Sequence, residues 1–307
     1  MVEYQEIKGD KGWRIWWQLT RPHTLTAAFV PVFLGTVLAL SYTELHWGLF
    51  SAMLVASLLI QAATNMFNEY FDYVRGLDSK ESVGIGGAIV RNGVKPKTVL
   101  YLGFSFFAIA LLLGIYICML TSWWLAGIGL VSMAAGYFYT GGPVPIAYTP
   151  FGEVTAGFFM GMLIIIISFF IQTLTVEPIA WIVSFPIGLL VGAILLANNI
   201  RDLDGDKENG RKTIAILLGR KRAVYFLATL FIVSYAWVIG LIVTGYISFF
   251  ALITFFSIPK AIQATKGFIG KTRPIEMMPA MQATAKTNTF FGFLLGIGIL
   301  LQFFILS

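Results

Sequence analysis

Hydrophobic residues in this chain come in long unbroken runs, with polar positions gathered between them in short clusters. A helix crossing a ~30 Å hydrocarbon core needs about 20 mostly apolar residues. Nine such stretches can be marked: 24–41, 47–68, 98–119, 123–140, 152–173, 178–199, 222–243, 246–264 and 288–305. Barrel strands would show about 10 residues of alternating polarity instead, so the pattern predicts an all-α, polytopic helical bundle. No linker rich in Ser, Pro or Gly divides the runs, and residues 1–307 read as a single integral membrane domain. The first run follows Lys8, Lys11, Arg14 and Arg21 without a small-residue cleavage site, so it is expected to target the chain itself.

Composition agrees: 58% of residues are hydrophobic, only 12% are charged, and mean hydropathy is +0.82, against about 25% charged in ordinary soluble domains. The net charge of +6 would suggest nucleic acid in a soluble protein, but its placement points to the lipid bilayer and to no nucleic acid. With the N-terminus cytoplasmic, nine spans put residues 1–23, 69–97, 141–151, 200–221 and 265–287 inside. All 21 Lys and Arg then fall on that side or at its membrane edge, as the positive-inside rule requires. The chain is therefore expected in the cell membrane of a prokaryote, with its chemistry on the cytoplasmic face. The lone Cys118 excludes an intrachain disulfide framework.

Two acidic clusters break the apolar pattern. The first runs from Asn65 to Ser82 and carries Glu69, Asp72, Asp78 and Glu81; the second runs from Ala197 to Thr213 and carries Asp202, Asp204, Asp206 and Glu208. Aligning Asp72 with Asp202 also superimposes Asn68 on Asn198, 130 residues apart, which predicts two related halves. On continuing helices Asn68 and Asp72 share a face, as do Asp202 and Asp206. Acids at a helix end are often simply solvated. Here, however, Asn65, Asn68, Asn198 and Asn199 accompany them inside the apolar runs, where polar groups are costly unless they face a cavity or a partner. Oxygen donors without His or Cys suit a hard cation such as Mg²⁺, which is commonly held by one or two carboxylates plus waters and substrate phosphates. The neighbouring cations Arg21, Arg75, Arg91, Lys95, Arg201, Lys207, Arg211 and Lys212 fit a phosphoryl clamp, although Lys95 also reads as a topology determinant.

Asn68-Glu69-x-x-Asp72 with Asp78 beyond, followed by Asn199-x-x-Asp202-x-x-x-Asp206, resembles the two aspartate-rich motifs of the UbiA superfamily of intramembrane prenyltransferases. Further likeness is to its menaquinone-synthesis branch, which acts on 1,4-dihydroxy-2-naphthoate. It is carried by Arg21-Pro22-His23-Thr24, Gly76-Leu77-Asp78, the loop Gly86 to Gly93, Tyr139-Thr140-Gly141-Gly142-Pro143, Gly152-Glu153, Arg211-Lys212-Thr213 and Leu218-Gly219. The chain departs from the family at Glu69, where Asp is common, and from the wider superfamily at Gly76, with the acid displaced to Asp78.

The resemblance implies a central cavity open to the cytoplasm, a polyprenyl diphosphate bridged by two Mg²⁺ ions between the motifs, and attack by the dihydroxynaphthoate ring with loss of CO₂ and diphosphate. Asn68, Asp72, Asp78, Asp202 and Asp206 are the expected metal ligands, Asp72 and Asp202 also counting as catalytic. Arg21, Arg91, Lys207 and Arg211 are the expected diphosphate contacts. Tyr139 either faces the developing carbocation or belongs to the interfacial aromatic belt. Glu69, Asn199, Lys212 and Glu153 have undecided roles, Glu153 either positioning the acceptor or ending a loop. Two rival readings stay open: a related prenyltransferase acting on 4-hydroxybenzoate, homogentisate or haem, and a cation-coupled transporter, which would place its acids nearer mid-membrane.

Overall fold

In a bilayer the backbone must satisfy its own hydrogen bonds, which favours helices wherever the apolar runs are long. The computed structural model describes residues 11–78 and 87–306, and its described elements are all helical. A short surface helix α1 (Trp13–Leu19) precedes α2 (Thr26–Ala39), α3 (Trp47–Val74), α4 (Pro96–Leu120) and α5 (Trp124–Phe138). Then come α6 (Gly152–Thr173), α7 (Pro178–Arg201), the short α8 (Leu203–Glu208) and α9 (Ile214–Leu218), and α10 (Arg220–Val243). A 3₁₀ stretch (Phe249–Ser257) leads into α11 (Ile258–Phe268), and α12 (Pro274–Leu306) ends the described chain. Lys80, Glu81, Ser82 and Gly86, like Lys8, lie outside the described residues.

Among the described residues six helices are long and apolar enough to cross a membrane: α3, α4, α6, α7, α10 and α12. The chain is thus a multi-pass membrane protein. Three expected spans differ in form. The runs at 24–41 and 123–140 give helices of 14 and 15 residues, only about 21–23 Å long at 1.5 Å per residue. The run at 246–264 becomes 3₁₀ backbone followed by α-helix. The last helix starts at Pro274, well before residue 288, so much of the expected 265–287 loop, including Lys286, is helical.

The core centres on α7, where Ile187, Leu190, Leu196 and Ile200 are fully buried against α2, α10 and α12. Small residues bring α6 and α7 together. A Cβ on Gly157 would lie 2.5 Å from the Gly188 carbonyl oxygen, and one on Gly161 would lie 2.6 Å from Gly188 Cα. Such small-residue contacts are the usual means of close helix packing in membranes. Residues 157–163 also widen into a π-helical segment. The result sets Glu153 of α6 beside Asn199 of α7, at the same end of the bundle as both acidic clusters.

Candidate active site

The first acidic cluster stays on α3 through Asp72, so Asn68 and Asp72 do share a helical face. The helix then stops in a Schellman cap: Leu77 N–H donates to the Asp72 carbonyl (2.9 Å), and Gly76 N–H donates to that of Tyr73 (3.0 Å). Gly76 has φ +71°, a conformation that favours glycine. This reversal explains the displaced acid. The chain turns at Gly76 and brings Asp78 back close enough to Asp72 to feel its charge. Burial first, and then that neighbour, push the Asp78 carboxyl up to about 6.

The second cluster does not continue α7 as one helix. The backbone breaks at Asp202 and resumes as α8, which ends in the same cap. Arg211 N–H donates to the Asp206 carbonyl (3.0 Å), Gly210 N–H to that of Lys207 (3.1 Å), and Gly210 has φ +74°. Relative to these caps Asp72 corresponds to Asp206, 134 residues on. The 130-residue alignment matched residue types but missed the caps. Asp206 is buried, and burial raises its carboxyl to about 6 even though Arg211 opposes the shift.

The two turns meet around Arg211. Its Nη2 lies 3.2 Å from Asp72 Oδ1 and its Nη1 3.0 Å from Asp206 Oδ1, while the guanidinium sits 4.5 Å from the centre of the Tyr148 ring. Arg211, expected as a diphosphate contact, is thus paired with both clusters. Asp202 turns instead to its neighbour Arg201, whose Nε donates to it at 2.7 Å. Lys207 and Lys212 are exposed, and neither joins an ion pair among the described residues.

Glu69 has a different task from the acids around it. It is 1% exposed, both of its carboxylate oxygens accept from Gly87 N–H (2.9 and 3.0 Å), and Oε1 also accepts from Ile89 N–H (3.1 Å). The longer side chain spends its charge on holding this loop. Gly87, at φ +101°, has the Arg91 guanidinium packed over it: a Cβ there would sit 2.2 Å from Arg91 Nε. Arg91 is thereby held near Asp78, whose charge it favours.

Above these turns is a cavity of about 320 Å³ between α2, α3, α4, α5, α6 and α7. Arg21, Asn65, Asn68, Tyr139 and Asn198 supply polar groups, and most of the remaining wall is apolar, such as Ile60, Met133, Phe159 and Leu163. Asn68 accepts from the Thr140 hydroxyl (2.7 Å). Arg21 has a left-handed backbone, φ +51°, and a buried Nε without a partner. Asn65 secures the segment around it by donating to the Thr20 carbonyl (2.9 Å) and the Thr24 hydroxyl (3.0 Å). Strain of this kind persists only where its surroundings impose it, and it gathers at functional sites. Glu153 is buried, accepts from Asn199 at 2.8 Å and leaves Oε2 unpartnered.

Sequence reasoning missed Tyr148, whose ring lies under Arg211 and also 5.3 Å from Arg75. It also left Arg75 as a general phosphoryl cation, whereas Arg75 donates to the carbonyls of Thr140 and Gly142 and ties that loop to the end of α3. Neither role has a periodic signature; both depend on a loop folding back.

The donors suit a hard divalent ion: amide and carboxylate oxygens, two of them on partly buried acids with raised pKa values, and no group of three or more His, Cys, Asp or Glu forming a closed cage among the described residues. Fold and site define a multi-pass helical protein whose polar, acid-rich end closes an apolar cavity. The chain belongs to the UbiA prenyltransferase family, whose model matches residues 28–274. It is 60% identical over 291 residues to 1,4-dihydroxy-2-naphthoate octaprenyltransferase of Bacillus subtilis (strain 168), covering 95% of this chain and 94% of that one. Its fold is similar to the apo structure of a UbiA homolog from Aeropyrum pernix K1 (TM-score 0.70, 16% identity, 92% of this chain and 98% of that one). It is also similar to a UbiA homolog from Archaeoglobus fulgidus bound to GPP and Mg²⁺ (TM-score 0.64, 14% identity, 91% and 98%).

Proposed function

We propose that this protein transfers a polyprenyl group from polyprenyl diphosphate to the carboxylate-bearing ring carbon of 1,4-dihydroxy-2-naphthoate, releasing diphosphate and CO₂ and yielding demethylmenaquinol. The observation that carries the reading is the meeting of Asp72 and Asp206 at the polar end of an otherwise apolar cavity. The name of the 60% identical relative supports the choice of acceptor.

In this reading the isoprenoid tail lies against the apolar wall and the diphosphate faces the motif turns. Mg²⁺ supplies the charge that turns the diphosphate into a good leaving group. Two ions, one on each motif, suit carboxylates that are divided between two turns. Asn68, Asp72 and Asp78 would hold one, and Asp202 and Asp206 the other. Arg21 and Arg91 reach phosphate oxygens, and Arg21 has a spare buried N–H for the purpose. Tyr139 turns its ring to the allylic carbon as the C–O bond lengthens, where an aromatic face favours positive charge. The ring carbon of the acceptor forms the new C–C bond, and the carboxylate leaves as CO₂. Glu153 and Asn199 back this wall. We place the site and the N-terminus on the cytoplasmic side because the basic residues gather there. Counting α2, α5 and the 249–268 segment with the six long helices gives nine crossings.

The test is incubation of purified protein in detergent with Mg²⁺, a polyprenyl diphosphate and either 1,4-dihydroxy-2-naphthoate or 4-hydroxybenzoate. Prenylation of the first acceptor alone is expected. Turnover of the second but not the first would overturn the acceptor assignment.

A further inference from the structure

Arg211 occupies a position unlike that of an ordinary phosphate-binding arginine. Its two terminal nitrogens are divided between carboxylates of different motifs, Asp72 and Asp206, and its side chain keeps only 15% of its surface exposed. Two carboxylates that converge in a partly buried site need a positive charge between them. Arg211 supplies it. Its backbone is fixed by the N–H bond to the Asp206 carbonyl, so any change of partner must come from side-chain rotation. The Tyr148 ring beneath the guanidinium attracts its charge through the face and leaves the in-plane donors free to choose an acceptor. Its Nε is buried with no partner, leaving one donor unused in this arrangement.

We propose that Arg211 is an internal placeholder for metal charge, pairing with the carboxylates of Asp72 and Asp206 until a metal–diphosphate complex arrives at the two motifs, then turning its fork from the carboxylates to phosphate oxygens. Guanidinium matches carboxylate and phosphate with the same paired donors, so the exchange keeps its hydrogen bonding. Metal alone must compete with an arginine already in place, whereas metal arriving with diphosphate gives that arginine a new partner. Divalent metal and diphosphate therefore bind as a pair. This inference rests on the diphosphate-using reading above.

The experiment measures Mg²⁺ binding calorimetrically to the full chain in detergent, with and without inorganic pyrophosphate, for wild type, Arg211→Met and Arg211→Lys. Wild type should bind Mg²⁺ weakly alone and much more tightly with pyrophosphate. Arg211→Met should bind Mg²⁺ alone about tenfold more tightly than wild type, because a competing cation has gone, and should melt at a lower temperature without metal. Arg211→Lys keeps the charge but loses the two-pronged bridge, so its affinity for Mg²⁺ alone should fall between the two; it carries the test if the Met variant does not fold. Unchanged or weaker binding of Mg²⁺ alone in the folded variants, with pyrophosphate-dependent binding intact in wild type, would overturn the placeholder role and leave the diphosphate reading standing. Absence of pyrophosphate-dependent Mg²⁺ binding in wild type would overturn both.

Discussion

The turn after Asp72 and the turn after Asp206 share one backbone and carry opposite charges. Each closes a helix with the same pair of capping bonds and a left-handed glycine, Gly76 or Gly210. After the first glycine come Leu77 and Asp78; after the second comes Arg211. Backbone repetition thus creates two similar corners, and the residues just past the glycine make one corner acidic and give the other a cation that reaches across to its twin. The site is a pair only in its scaffold. Its electrostatics are complementary, the cation of one corner pairing with an acid of each.

The largest effect should come from removing the equivalent acids. Asp72→Ala and Asp206→Ala should each lower prenyl transfer by about a thousandfold, the scale lost when a main electrostatic group is removed, with the melting temperature within a few degrees of wild type. Asp202→Ala should match them if Asp202 leaves Arg201 for the metal. Diphosphate release in detergent measures all three, and activity within tenfold of wild type would break the equivalence.

Next in size is Glu69→Ala. It strands the buried N–H groups of Gly87 and Ile89, so thermal unfolding should show a loss of about 2–4 kcal/mol. A stability unchanged by this substitution would return Glu69 to the metal.

Smaller still are Gly76→Ala and Gly210→Ala. A Cβ meets nothing within 4 Å at either position, so only backbone strain is added, about 1 kcal/mol each. Equal losses of stability would sharpen the comparison of the caps. Activity should separate them, with the Gly210 variant the more impaired because Arg211 follows directly.

The last comparison concerns pH. Both Asp78 and Asp206 have carboxyls raised to about 6 from 3.8, so the folded protein holds their protons more tightly than the unfolded chain does. Without metal, the stability they contribute is complete below about pH 4 and lost as pH rises through about 6. Melting temperature should fall across that window, and Asp78→Asn should flatten the fall. A variant whose melting curve follows the wild-type slope would show that Asp78 does not titrate there.

Much of this was legible in the sequence because membrane helices announce themselves by length and apolarity. The long runs became helices, and Asn68 and Asp72 kept their shared face. Helix ends were less legible: the run expected to begin at 288 starts at Pro274, since Glu276, Gln282 and Lys286 interrupt the apolar pattern there without ending the helix. Glu69 carried a visible sign in being one methylene longer than the common residue, but its partners, Gly87 and Ile89, are known only once the loop is folded. Tyr148 carried no sign at all.

What the sequence determined by itself was local or periodic: the helical membrane class, the charge asymmetry, the two acidic clusters and the family they resemble. Each follows from neighbours along the chain, through helix geometry or the cost of burying charge in lipid. The tertiary structure alone decided which acids are equivalent, that Glu69 clamps a loop, that Asp202 faces Arg201, and that Arg211 stands between Asp72 and Asp206. Those outcomes depend on side chains as far apart as 139 residues meeting in one small volume, where a charge chooses its partner by distance through space.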